Sequence, residues 1–183
     1  MTMPVITEGK LQFEFPEGWL TWKYDESHFY RNRFQGIVGG IKAADIIAVN
    51  FVAIHRERIA WLIEVKDYRI DSRTNTISRT NTIDIIDEVA KKFLDTLAAA
   101  LPAKLHGDGA TEQPIAKRLL DAGELVLVLH LELSDAGSRI FPNVSHRANI
   151  LQKLKGKFAR IDIAVLVTDR NSSGLVPWTV TDI

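Results

Sequence analysis

Asp45 and the triplet Glu64-Val65-Lys66 are the residues whose types and spacing suit chemistry in this 183-residue chain. Asp45 opens an apolar run over residues 45–52, and a second run over 59–63 leads straight into the Glu-x-Lys at its far end. Both runs read as strands. The connection 53–58 is short enough for an antiparallel hairpin, and folding about Ile54 and His55 lays Asp45 opposite Glu64. Side chains alternate along a strand, so Glu64 and Lys66 share a face, and directly opposed residues share one too. A slip of one residue would send Asp45 to the other face. Two carboxylates and an ammonium at the end of buried strands are costly to desolvate unless they hold something, and Mg²⁺ or Mn²⁺ is the ion that suits them. Lys66 is then placed to orient or deprotonate a water, and the Val65 carbonyl to complete the metal shell.

A plainer reading stands beside this one. An acid two positions before a lysine recurs at Glu8-Gly9-Lys10, with no strand before it. Charged strand ends are also common solvent-facing features, in which Lys66 simply pairs with Glu64. The combination of a nearly unbroken apolar strand, a preceding strand that begins in Asp, and the spacing that juxtaposes them favours the metal site.

With Asp45 and Glu64-Val65-Lys66 on a hairpin ahead of a long helix, the chain resembles the PD-(D/E)XK nuclease superfamily. The likeness covers residues 22–168, although its specific part is the hairpin. It implies metal-binding roles for Asp45 and Glu64 and an assisting role for Lys66 toward the attacking water. Ala44 stands where the motif's name has proline. In related nucleases an acid from the first helix sometimes joins the metal shell. The resemblance puts Glu26 in that place, against the simpler reading of a carboxylate favoured at a helix N-terminus.

Composition describes one ordinary globular domain, 46% apolar and 25% charged, large enough for a well-buried core. It has no apolar run long enough to span a bilayer, and its first residues lack the basic and apolar regions of a signal peptide. Zero cysteines rule out disulfides, thiolate catalysis and cysteine zinc sites, and fit a cytoplasmic location. With 23 basic and 23 acidic residues the chain is neutral, so contact with nucleic acid must come from local patches.

The elements that position the site follow from hydrophobic period and turn residues. Residues 11–15 and 19–24 flank Pro16-Glu17-Gly18 and read as an N-terminal hairpin over 11–24. Asp25 caps a short helix through Gln35, with Phe29, Tyr30 and Phe34 inward. After Lys66 comes a perfect duplication, Ser-Arg-Thr-Asn-Thr-Ile at 72–77 and again at 78–83. Its polar content suits a loop beside the site, where Arg73 and Arg79 are candidates for phosphate contact; a slippage duplication tolerated on the surface is the competing account. Residues 84–101 form the clearest helix, ended by Pro102, with Asp87/Lys91 and Glu88/Lys92 spaced for surface pairs. A second short helix ends near Gly123. Residues 124–133 and 161–168 are strands apolar on both faces, and 147–160 is an amphipathic helix with Lys153, Lys155 and Lys157 on its outer face. His130 reads as a hydrogen-bonded core histidine.

Strands covered on both faces imply a three-layer α/β domain, a central mixed β-sheet flanked by helices, with its core over 25–170 and a short C-terminal extension; the resemblance implies that this is the restriction-endonuclease-like fold. No Walker loop, dinucleotide fingerprint, His-Glu-x-x-His or hydrolase elbow is present. A hydrolytic metal centre is the chemistry these residues support, and the resemblance implies a Mg²⁺- or Mn²⁺-dependent nuclease acting on DNA, with no membrane association expected. A homodimer would offer two active sites for both strands, and the alternative is a non-catalytic binding or assembly module of the same fold working with a partner subunit.

Overall fold

The structure, a computed structural model, describes residues 3–52, 57–69, 79–133, 143–172 and 174–183. Among the described residues, eight strands and three α-helices follow one another as β1 (Val5–Glu8), β2 (Leu11–Glu14), β3 (Leu20–Lys23), β4 (Ile46–Val52), β5 (Glu57–Asp67), α1 (Arg79–His106), α2 (Glu112–Leu120), β6 (Glu124–Glu132), α3 (Asn143–Phe158), β7 (Ala164–Thr168) and β8 (Thr179–Asp182). The main sheet has the order β3-β4-β5-β6-β7. Its first three strands are antiparallel, whereas β5, β6 and β7 run parallel. Parallel neighbours need crossovers, and α1 with α2 supplies the first while α3 supplies the second.

Both faces of this sheet are covered, as the doubly apolar strands require. Ile47 and Val49 of β4 and Ala60 and Leu62 of β5 pack with Val89 and Phe93 of α1 and Leu154 and Phe158 of α3. The alternate residues Ile46, Ala48, Trp61 and Ile63 turn the other way, onto Leu11, Phe13, Phe15 and Trp178. The three-layer mixed α/β architecture is the expected one. The layer on the second face, however, is a three-stranded sheet, β1-β2-β8, rather than helices.

That second sheet corrects the N-terminal hairpin over 11–24. β2 pairs with β1 and β8, while β3 pairs with β4, so the two segments lie in different sheets. Leu11, Phe13 and Phe15, all fully buried, fix β2 as the layer facing the main sheet. Pro16 and the turn closed by the Trp19 N–H on the Pro16 carbonyl carry the chain across.

α1 also differs from expectation, for it runs through Pro102 to His106. The ring deletes one helical hydrogen bond, yet the last turn is held by packing. Ala103 is fully buried with Ala116 of α2 and Phe29, and the Arg33 guanidinium donates to the His106 carbonyl at 2.8 Å. At the other end α1 begins at Arg79, so most of the second copy of the duplication is helical rather than a loop. β7 is shorter than 161–168, because residues 159–161 form a helical turn that Asp162 ends at φ +52°.

Candidate functional site

The hairpin register is the expected one. Ile46 pairs with Ile63 and Ile47 with Leu62, which sets Asp45 opposite Glu64 one step beyond. Because Ile47, Val49, Ala60 and Leu62 face the helices, Asp45, Glu64 and Lys66 fall on that same face, beneath α1.

Asp45 is nearly buried, and its Oδ2 accepts the Val65 N–H at 2.7 Å. The bond closes the strand edge just where β4 has not yet begun. A strand residue directs its N–H and C=O to the same edge, so the Val65 carbonyl faces the Asp45 side as well. Glu64 is fully buried. Its Oε1 accepts from Lys92 Nζ at 2.6 Å and lies 3.2 Å from Lys66 Nζ, whereas its Oε2 has no hydrogen-bond partner among the described residues. Lys92 also stands 3.5 Å from Asp45 Oδ1. Lys66 reaches Glu88 at 3.0 Å, and Lys42 reaches the same carboxylate at 3.5 Å.

Above these groups opens a cleft of ≈ 450 Å³. Its wall carries the acids Asp25, Asp45 and Glu88, the bases Arg31, Lys42 and Lys92, and Tyr30, Gln35 and Ala43. The turn that brings Asp25 and Arg31 there is fastened by Glu112, whose carboxylate accepts the Phe29 and Asp108 N–H groups at 3.0 and 2.8 Å. Ser27, not Asp25, caps this turn through its hydroxyl on the Tyr30 N–H. The loop leading to Asp45 is pinned to α1 where the Lys42 N–H meets Asp95 and the Ala44 N–H meets the Thr96 hydroxyl.

Protonation follows from this burial. Removal from water, with Asp45 alongside, pushes the Glu64 carboxyl up to about 7 despite Lys92 and Lys66. Asp25 is pushed up to about 6 by burial and then by Asp45. Burial works to lower both lysines, but Glu64 and Glu88 beside Lys66, and Glu64 and Asp45 beside Lys92, outweigh it and hold each ammonium above its ordinary value.

Of the expected site residues, Asp45, Glu64, Val65 and Lys66 come together. Glu26 does not join them; half exposed, it pairs with Lys23 and Arg31, and its neighbour Asp25 is the acid on the cleft wall. Arg73 lies outside the described residues, and Arg79 is the first residue of α1, with its side chain outside them too. His130 is a core histidine, bonded to Glu132 and Thr168 and edge-on to Phe13. The surface pairs expected on α1 are absent among the described contacts: Lys91 pairs with Asp95, and Lys92 turns inward to Glu64. Lys92 is the site residue that helical spacing alone hides. The signal for it is its place between Val89, Phe93 and Thr96, all buried.

A divalent ion fits this donor set in part. Glu64 Oε2 is an orphaned buried acceptor, Asp45 is adjacent, and the Val65 carbonyl shares its edge. Among the described residues, no three His, Cys, Asp or Glu side chains gather as a metal cluster, so the remaining positions would fall to water or a ligand, as Mg²⁺ tolerates.

No family model matches the chain, and no solved structure does. A cysteine--tRNA ligase of Neisseria meningitidis serogroup A is 32% identical to it over 169 residues. The match covers 82% of this chain and 24% of that protein, so the chain spans about a quarter of the length of the curated relative it matches. A stretch of that size omits at most about 33 of the 183 residues. Wherever it starts, it therefore takes in Asp45, Glu64, Lys66 and Lys92.

This similarity overturns the expectation of a DNA-cleaving nuclease. The matched protein is named for joining cysteine to tRNA, and neither restriction nor DNA enters. Among the described residues no helix is long and apolar enough to cross a membrane.

Proposed function

We propose that this chain is an RNA-binding module that works with tRNA, and that the cleft over Asp45 and Glu64 is where the RNA backbone docks. The observation that carries this reading is the buried cluster of paired acids and lysines at the cleft floor, inside a stretch related to a tRNA ligase. Asp25, Asp45 and Glu88 are balanced there by Arg31, Lys42 and Lys92, and the buried Glu64 with Lys66 lies beside them. Such a cleft has little net attraction for phosphate. Mg²⁺ or Mn²⁺ held by Asp45, Glu64 and the Val65 carbonyl would neutralise two of the acids and supply a Lewis-acidic contact for a phosphate oxygen. Lys92, Lys42 and Arg31, which line the wall, would then be the cations left to contact phosphates.

The scaffold reading belongs to the same proposal. The Asp45–Glu64 register, the Glu-x-Lys triplet and the helix that follows support descent from the PD-(D/E)XK architecture, here with its polar corner turned to binding. A neutral overall charge agrees with recognition at one cleft rather than by a general basic surface.

The test is a titration of labelled tRNA, and of duplex DNA of equal charge, at about 0.1 M salt with Mg²⁺ present. The reading expects tRNA to bind more tightly than DNA and Lys42→Ala to weaken it. Equal affinity for both polymers, or no tRNA binding, would end it.

A further inference from the structure

Glu88 lies on the cleft wall, yet the pairs its own helix offers are taken elsewhere. Lys91 and Lys92, three and four residues on, are its ordinary helical partners, but Lys91 goes to Asp95 and Lys92 to Glu64. Glu88 instead receives two ammoniums from outside the helix on a single oxygen. Its Oε1 lies 3.0 Å from Lys66 Nζ of β5 and 3.5 Å from Lys42 Nζ of the segment before β4. Burial works to raise this carboxyl, but Lys66 and then Lys42 outweigh it and hold it below its ordinary value, so Glu88 is an anion at neutral pH.

Of the groups in this chain of charges, Glu88 is the one able to leave. Lys66 has a second carboxylate in Glu64, 3.2 Å away and fully buried, so it remains paired without Glu88. The Glu88 side chain is 34% exposed and that of Lys66 18%. Glu88 lines the cleft whereas Lys66 does not, so the carboxylate stands between that ammonium and the cleft. Pairs exposed to this degree are weak, and the side chain can turn out into water.

We propose that Glu88 is a built-in substitute for a phosphate: its carboxylate fills a seat between Lys42 and Lys66 that one phosphate of the bound RNA backbone takes by displacing it. The seat rests on the RNA-binding reading above and adds to it a place for one phosphate and a residue that regulates access to that place. A phosphate oxygen accepts from ammoniums as a carboxylate oxygen does, and the point that Oε1 now holds is within reach of both lysines. The exchange replaces one anion by another, so the balance of charge at the wall is kept. Lys66, screened in the free protein, becomes a phosphate contact. A ligand that must evict Glu88 gains only the difference between two similar interactions, so Glu88 weakens phosphate binding while keeping the empty cleft neutral.

The experiment measures binding of tRNA, and separately of inorganic phosphate, at fixed Mg²⁺ and ionic strength. It compares the wild type with Glu88→Gln, Lys42→Ala and the double variant Glu88→Gln/Lys42→Ala. Glutamine keeps the shape of the side chain and removes the competing charge. Glu88→Gln should bind tRNA about fivefold more tightly, the scale of one partly exposed charge pair, and should take up phosphate at lower concentration than the wild type. In the Lys42→Ala background the gain should shrink to less than about twofold, because the seat then lacks one of its lysines. A gain of equal size with and without Lys42 is a general charge effect and overturns the seat. Unchanged tRNA affinity in Glu88→Gln, where the wild type binds tRNA, overturns the seat and leaves the RNA reading standing. Phosphate binding that depends on Lys42 in this way, without tRNA binding, supports the seat and overturns the RNA reading. A Glu88→Gln protein that binds neither ligand overturns both.

Discussion

Replacing Glu64 by glutamine should change how stability depends on pH, by an amount the structure sets. The carboxyl is fully buried and lies up at about 7 in the folded protein, against an ordinary 4.5. The native state thus binds this proton more tightly than the unfolded chain does. Stability from this group is complete below about pH 4.5 and is lost as pH rises through about 7. Each tenfold difference in proton affinity is about 1.4 kcal/mol, so the loss across the window is ~3 kcal/mol, undiminished by solvent because the group has no exposure. Glutamine keeps the shape and does not titrate. Removing the charge also alters the bonds to Lys92 and Lys66, but both lysines stay protonated throughout, so that offset is the same at every pH. Urea unfolding of both proteins between about pH 4.5 and pH 8 isolates the slope. The wild type should lose ~3 kcal/mol relative to Glu64→Gln over that range, and added Mg²⁺ should restore part of it only in the wild type. A difference that stays flat, or that grows in favour of the wild type at high pH, would refute the claim that Glu64 is a buried carboxyl held against its solvation.

Lys92→Met removes the ammonium between Glu64 and Asp45. Breaking a pair this enclosed costs about 3 kcal/mol or more in urea unfolding, while Mn²⁺ affinity measured by calorimetry should rise because the competing cation is gone. Gly107→Ala places a Cβ 2.6 Å from the Ala103 carbonyl oxygen and 2.9 Å from Glu112 Cβ; a loss of ~2 kcal/mol is expected, whereas Gly36→Ala, with open space around it, should leave the melting temperature unchanged. RNA affinity should increase as millimolar Mg²⁺ is added at constant ionic strength, although KCl must weaken it. A fall with Mg²⁺ would mean that the acids at the cleft floor do not hold the ion.

The site hairpin was readable because two constraints coincide in it. Strand alternation fixes the faces, and a turn about Ile54 and His55 gives the register that sets Asp45 opposite Glu64. The helix α3 was readable from its apolar period and the strand β6 from its unbroken apolar run. The second sheet was not, because β1 and β8 are four residues each and β8 reaches β2 from the far end of the chain. Lys92 escaped because a lysine on a helix reads as solvated. It is drawn inward only where the sheet below α1 ends in carboxylates, which is a tertiary fact. Glu26 was named because the resemblance puts an acid of the first helix in the metal shell, while the helical turn at Tyr24–Glu26 leaves its neighbour Asp25 on the cleft wall.

The claim that RNA docks over Asp45 and Glu64 is tested most directly by amide chemical shifts of isotope-labelled protein as tRNA is added with Mg²⁺. The account predicts that the changes gather on residues 42–46, 64–67 and 88–95, the strand ends and the turn of α1 around the cleft. Changes confined to the lysine face of α3, at Lys153, Lys155 and Lys157, with the cleft amides unmoved, would contradict it.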